Sequence, residues 1–250
     1  MPLREYLAAT YTDAAELNRL TILQAVIAQT GGTVVDLGCG NGAFTASIGA
    51  RAGADLLMGL EVEPEAVAQA RAHGVEVLEA DLAECLPFDS GSVDVVHSNQ
   101  VIEHLADTDH FLAEIRRVLS PDGYAIVSTN NLASWHNVAS LVMGWQPPPC
   151  QVSNLVNVGN PLNFMEGDTG GWFRQHLRLF TGRALLELAE FHGLRADLLQ
   201  TAGFYPLPRR LARIATRVDA KHAAYLVHRY RPADARRSAA PTRRPTSARG

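Results

Sequence analysis

Cysteine is sparse in this chain. Cys39, Cys85 and Cys150 stand far apart among 250 residues, with no CxxC and no Cys/His pairing at zinc spacing. A disulfide framework and a structural zinc site are therefore excluded as organising devices. Charge is not in excess either: charged residues make up 19%, apolar residues 47%, and the net charge is −4. That balance excludes a disordered chain and fits one closed hydrophobic core. No internal repeat is visible, and 250 residues leave room for one sizeable α/β domain but not two. The first twenty residues carry Arg4, Glu5, Asp13, Glu16 and Arg19, so they lack the apolar core of a signal peptide and any spanning length. A cytoplasmic protein without a membrane span is expected.

The charge is unevenly placed. Residues 231–250 hold six arginines against Asp234, which leaves the first 230 residues at −9. A body of that sign does not attract nucleic acid, so no specific nucleic-acid partner is expected. The tail, with Pro232, Pro241 and Pro245 among Ala, Ser and Thr, buries too little apolar surface to order itself. The expected organisation is one domain over residues 1–230, its first 32 residues helical, followed by a disordered basic tail over 231–250.

Short β-branched runs alternate with helical patterns, the signature of βαβ units and a mostly parallel sheet. Strands are expected at Thr33–Leu37, Leu56–Leu60, Val75–Leu78, Val93–Ser98, Tyr124–Ser128, Arg195–Gln200 and Ala223–Arg229. Helices are expected before the first strand, from about Phe44, and at Pro64–Ala72, Asp109–Leu119, Gly182–His192 and Arg209–Val218. Gly31-Gly32 is expected to end the first helix, and Pro121-Asp122-Gly123 to form a turn. The rhythm breaks after Asn131. The result is a doubly wound, seven-stranded α/β fold with an insertion over residues 132–180.

A glycine-rich turn, Gly38-Cys39-Gly40-Asn41-Gly42, follows the first strand and precedes an apolar helix. Glycine lets the backbone turn through positive φ and lets a ligand lie against it. Gly38, Gly40 and Ala43 also satisfy the dinucleotide pattern, with Glu61 about twenty residues on, so the turn alone does not choose its ligand. Three features favour S-adenosylmethionine (SAM): Asp36 at the strand end, Gly42 in a GxGxG spacing, and a second acid, Asp81, after the third strand. Each acid also has a structural alternative, Asp36 as a cap of the loop and the others as solvated strand ends.

From Val34 to Ser128 the chain resembles class I SAM-dependent methyltransferases of the ubiquinone-biosynthesis-like type. VVDLGCGNG, GLEVEPEAVAQAR, ADLAECLPF, SVDVVHSNQVIEHL and FLAEIRRVLSPDGYAIVSTNN resemble that family's blocks in order. The resemblance implies a Rossmann-like methyltransferase fold with SAM as cofactor. It also implies that Asp36, Gly38, Gly40 and Gly42 form the cofactor turn, Glu61 faces the ribose hydroxyls, Asp81 the adenine amine, Leu82 the adenine ring, and Asn99 the methionine.

A sulfonium methyl is already activated, so positioning is most of the catalysis, and an oxygen acceptor gains from a nearby base. His104 and His176 are the candidate bases, each with a structural alternative: His104 as a packing residue of the next helix, beside Glu103 at that helix's N-terminus. Residues 132–174 carry Trp135, His136, Trp145, Phe164, Met165, Trp172 and Phe173, which fits a substrate lid over a small hydrophobic acceptor, or packing in a homodimer. The N-terminal segment, with Tyr6, Tyr11 and Asn18, is expected to cover the cofactor, and Tyr205-Pro206 to reach the acceptor pocket.

O-methylation of a small acceptor is the leading expectation, with no metal. Two alternatives stay open. Ile102-Glu103-His104-Leu105 resembles in part the metal-dependent small-RNA 2′-O-methyltransferases, which have Glu where this chain has Gln100. The other is a non-catalytic scaffold of the same fold.

Overall fold

The structure is a computed structural model that describes residues 1–28, 32–153, 156–162 and 176–233. In chain order the elements are α1 (Leu3–Ala25), β1 (Thr33–Leu37), α2 (Ala43–Ala52), β2 (Leu56–Glu61), α3 (Pro64–Ala72), β3 (Glu76–Glu79), β4 (Val93–Asn99), α4 (Thr108–Val118), β5 (Leu119–Asn130), α5 (Trp135–Val142), α6 (Gly182–Phe191), β6 (Leu194–Ala202), α7 (Arg209–Val218) and β7 (Tyr225–Pro232). Short 3₁₀ turns at Ile102–His104 and Ala220–His222 complete them.

The seven strands form one sheet in the order β3-β2-β1-β4-β5-β7-β6. The first five are parallel, and β7 runs antiparallel to both β5 and β6. Successive strand residues point to opposite faces, so the apolar runs divide into two cores. Val35, Leu37, Val96 and Val127 pack with Phe111, Leu112 and Ile115 of α4 and Leu185 of α6. Val34, Val95, Tyr124 and Ile126 pack with Ile22 and Ala25 of α1 and Ile48 and Ala52 of α2. Burying one such side chain contributes about 1.5–3 kcal/mol.

Strand β1 pairs with β2 on one side and β4 on the other, so the strand order reverses there and opens a crevice at the carboxyl ends of the strands. Every expected strand is present, and α3 and α7 keep their expected bounds.

Three local expectations are corrected. Helix α1 stops at Ala25, where Val26 turns extended (ψ 123), well before Gly31-Gly32. Pro121-Asp122-Gly123 lies inside β5 as an irregularity, because the register passes from Val93↔Leu119 to Val95↔Tyr124 and the longer β5 segment bulges. A Cβ on Gly123 would stand 2.9 Å from the Asp94 carbonyl, so glycine permits the bulge. The stretch after Asn131 contains the helix α5, whose Val138, Leu141 and Val142 recur at helical spacing. No described helix is long and apolar enough to cross a membrane.

Candidate functional site

The turn after β1 is held open by its own backbone. Gly38, Gly40 and Gly42 have φ of 81°, 52° and 76°, which side-chain-bearing residues rarely adopt. The amides of Gly38 and Cys39 donate to the Leu60 carbonyl at 2.9 and 3.1 Å, which pins the turn onto β2. Gly40 N–H donates to Glu61 Oε2 at 2.9 Å, while Glu61 Oε1 accepts from the amides of Val62 (2.8 Å) and Glu63 (3.2 Å). The carboxylate is thereby fixed before any ligand arrives. A Cβ on Gly40 would meet nothing within 4 Å, whereas one on Gly42 would stand 2.6 Å from Ala70 Cα. Gly40 faces open space; Gly42 lets α2 start against α3.

That space belongs to a cavity of about 780 Å³ at the crevice. Gly38, Gly40, Glu61, Asp81, Leu82 and Asn99 form one wall. Asp81 Oδ1 accepts from Ala83 N at 2.9 Å, and Asn99 Oδ1 accepts from Asn18 Nδ2 at 2.9 Å, which ties α1 to the end of β4. Leu7 and Tyr11 of α1 also line the cavity.

Asp36 and Gly42 are not among the lining residues. Asp36 is 3% exposed behind the turn, where Oδ2 accepts from Thr45 Oγ1 at 2.5 Å and Oδ1 from His97 Nδ1 at 2.7 Å. The enclosure by three acids expected from the sequence is in geometry a wall with Glu61 and Asp81, buttressed by Asp36.

The opposite wall includes His104, Asn130, His136, Asn137, Ser140, Trp145, Gln151, Asn160, His176 and Tyr205. The rings of His104 and His176 lie 4.8 Å apart, centroid to centroid. His176 Nδ1 lies 3.0 Å from the Pro149 carbonyl, which can only accept, so Nδ1 carries the proton and Nε2 keeps its lone pair. Burial lowers the pKa of His176, which favours the neutral ring and its use as a base.

Glu103 is not at the N-terminus of α4, whose cap is Asp107 accepting from His110 N at 2.8 Å. Glu103 is fully buried instead. Its Oε2 accepts from Thr129 Oγ1 at 2.8 Å, and its carbonyl accepts from the amides of Leu177 (2.7 Å) and Arg178 (3.1 Å), which ties the segment bearing His176 to the sheet. Burial pushes the carboxyl up to about 7, partly offset by hydrogen bonds. Among the described residues, Glu103, His104 and His176 bring one potential ligand atom each to within 4.8 Å of one another.

Four buried side-chain atoms on lining residues lack a hydrogen-bond partner among the described residues: Gln100 Nε2, His136 Nδ1, Asn137 Oδ1 and Gln151 Oε1. Gln100 is also the one described non-glycine residue at positive φ (58°). Asn137, Ser140, Gln151 and Asn160 were not singled out from sequence. The signal available was Ser134 ahead of the helical spacing in α5. Trp135 departs from the expected lid: its Nε1 donates to Asp219 Oδ2 at 2.7 Å and its ring lies against His222. Phe164, Met165, Trp172 and Phe173 lie outside the described residues.

The fold and this crevice define a Rossmann-like methyltransferase architecture. Residues 35–127 match the family model described as "Methyltransferase domain". A probable S-adenosylmethionine-dependent methyltransferase of Mycolicibacterium smegmatis is 42% identical over 65% of this chain and 61% of its own length. The malonyl-[acyl-carrier protein] O-methyltransferase of Erwinia billingiae is 30% identical over 69% of this chain and 65% of its own. This chain thus spans less than two thirds of these relatives. Among solved structures, the Haloferax volcanii complex of a methyltransferase activator with a methyltransferase matches with TM-score 0.61 at 20% identity, over 93% of this chain and 98% of that one. A SAM-dependent methyltransferase from Mesorhizobium loti matches with TM-score 0.57 at 23% identity, over 84% and 95%; both show the fold. Residues 35–127 thus match a methyltransferase domain, and the chain is similar to SAM-dependent methyltransferases, which points to SAM as the cofactor.

The residues present fit that cofactor. The space in front of Gly40, which a Cβ would enter, belongs to the cavity that Glu61, Asp81 and Leu82 also line. A pyrophosphate fits less well, because Glu61 sets a carboxylate on the Gly40 amide that would otherwise bind it.

Proposed function

We propose that this chain transfers the methyl group of SAM to a hydroxyl of a small, largely apolar acceptor. In this reading the backbone at Gly38 and Gly40 lies against the methionyl part, Glu61 takes the ribose hydroxyls, Asp81 the adenine amine, Leu82 the adenine ring, and Asn99 the amino-acid end. Asp36 and Gly42 shape the turn from behind. SAM supplies an activated methyl, so the chain's task is to align the acceptor oxygen and accept its proton. His176, with a lone pair on Nε2, is the leading base; His104 is its neighbour and second candidate. The acceptor side is formed by the described part of the stretch after β5, together with Tyr205.

The supporting observation is that one cavity joins the Gly40–Glu61–Asp81 wall to the two histidines. The test incubates purified protein with methyl-labelled SAM and a small-molecule extract, and identifies labelled products by mass spectrometry. An O-methylated product, much reduced in His176→Ala, is expected. Only N- or C-methylated products would overturn the oxygen assignment.

A second reading, metal-assisted transfer to a ribose 2′-hydroxyl of RNA, is favoured by the cluster of Glu103, His104 and His176. It predicts transfer to RNA that a chelator abolishes and a divalent metal restores. The first reading predicts transfer insensitive to chelation.

A further inference from the structure

Helix α7 carries two unmatched faces. Arg209, Arg213 and Arg217 recur every four residues, with Arg210 beside them, and Leu211, Ile214 and Val218 follow a separate three-and-four spacing. Residues so spaced share one side of a helix, so the arginines and the aliphatics form adjacent stripes. A third direction is turned inward, where Ala212 is 1% exposed and the helix packs against α1 and β6. The aliphatic stripe finds no cover: Leu211 is 53%, Ile214 58% and Val218 83% exposed.

The arginine stripe is equally unmatched. Several other arginines pair with acids, as Arg117 does with Glu114 and Arg229 with Asp197. The four on α7 make no side-chain hydrogen bond or ion pair among the described residues, and no acid lies within the helix. A solvated surface helix normally sets acids against its bases and keeps aliphatics inward. One with a basic stripe beside an exposed aliphatic stripe matches the headgroup–acyl boundary of an anionic bilayer, where each stripe meets its complement.

We infer that α7 docks the protein on anionic lipid surfaces, with Leu211, Ile214 and Val218 entering the acyl boundary and the four arginines meeting headgroup phosphates. RNA would account for the arginines but leave the aliphatic stripe unexplained. A second copy of the chain would cover the aliphatics but bring a second set of arginines against the first. Helix α7 starts three residues after Pro206, which lines the cavity and accepts a hydrogen bond from Tyr6 Oη on α1 at 3.0 Å. Docking by α7 therefore sets one rim of the cavity near the lipid surface, where a hydrophobic acceptor would reside.

The test is co-sedimentation of the full chain with phosphatidylcholine vesicles and with mixed phosphatidylcholine–phosphatidylglycerol vesicles at low salt. Binding to the mixed vesicles alone is expected. Since an arginine near an anionic surface is worth about 1 kcal/mol, Arg210→Gln/Arg213→Gln should weaken binding roughly 30-fold. Leu211→Ser/Ile214→Ser should weaken it by at least about tenfold. Both double variants should keep the far-ultraviolet circular dichroism and the S-adenosylhomocysteine affinity of the parent, which separates lost docking from lost fold. Absence of binding to mixed vesicles, or equal binding by parent and both variants, overturns the inference. So does tighter binding to a polyuridine oligonucleotide than to mixed vesicles, or a dimer that Leu211→Ser/Ile214→Ser dissolves.

Discussion

The two walls of the cavity treat their polar groups in opposite ways. On the wall of Gly40, Glu61, Asp81 and Asn99, each acceptor already holds a donor: three backbone amides on Glu61, one on Asp81, and the Asn18 amide on Asn99. On the wall of His136, Asn137 and Gln151, buried polar atoms have no partner among the described residues. Leaving such a group unpaired costs about 1–3 kcal/mol, so these are the atoms that a hydrogen-bonding acceptor would satisfy. The first wall is built to hold one fixed molecule; the second is open to an acceptor.

The largest expected effect is structural and lies behind the first wall. Gly42→Ala places a Cβ against the α3 backbone at a left-handed position and should destabilise the protein by about 3 kcal/mol, read as a lower urea midpoint at unchanged slope. Next, Glu61→Ala should weaken S-adenosylhomocysteine binding by roughly 100-fold, since charge-assisted hydrogen bonds contribute about 1.5–3 kcal/mol, while His136→Phe should leave it within about twofold. Equal losses in the two variants would erase the distinction between the walls.

Titration sharpens the contrast further. Glu103, pushed up to about 7, stays protonated in the folded protein where the unfolded chain has lost its proton, so it lowers stability as pH rises from about 4.5 to 7. His228, lowered to about 4 by burial, works the other way: the unfolded chain binds the proton first, so stability falls as pH drops from about 6.5 to 4. The two slopes oppose each other in the parent. Glu103→Gln removes one, and the variant should gain roughly 2 kcal/mol over the parent between about pH 5 and 7 in urea titrations. The smallest effect is that of His136→Phe on stability, within about 1 kcal/mol of the parent, because the loss of the long (3.3 Å) contact between Nε2 and Ser134 Oγ is offset by removal of the unpartnered Nδ1.

The same contrast explains what the sequence made legible. The strands and the Gly38–Gly42 turn follow from short-range patterns, β-branched runs and glycines, and the mostly parallel character of the sheet follows from alternating βα units. Glu61 and Asp81 sit at strand ends, where the topology delivers them to the crevice. Asp36 also ends a strand, yet Thr45 and His97 draw its carboxylate away from the cavity, a tertiary contact that spacing does not encode. The second wall comes from α5 and the loops after it, brought together by long-range bonds such as Leu177 N to the Glu103 carbonyl. Such contacts leave no period in the sequence. Trp135 shows the consequence: it belongs to the aromatic-rich stretch, but Asp219 turns it away from the cavity.

The most direct measurement is calorimetric titration of the unmodified protein with S-adenosylhomocysteine, and with NAD under the same conditions. The account predicts one saturable site for the first and no heat from the second. Saturable binding of NAD, displaced by S-adenosylhomocysteine or binding in its place, would contradict it.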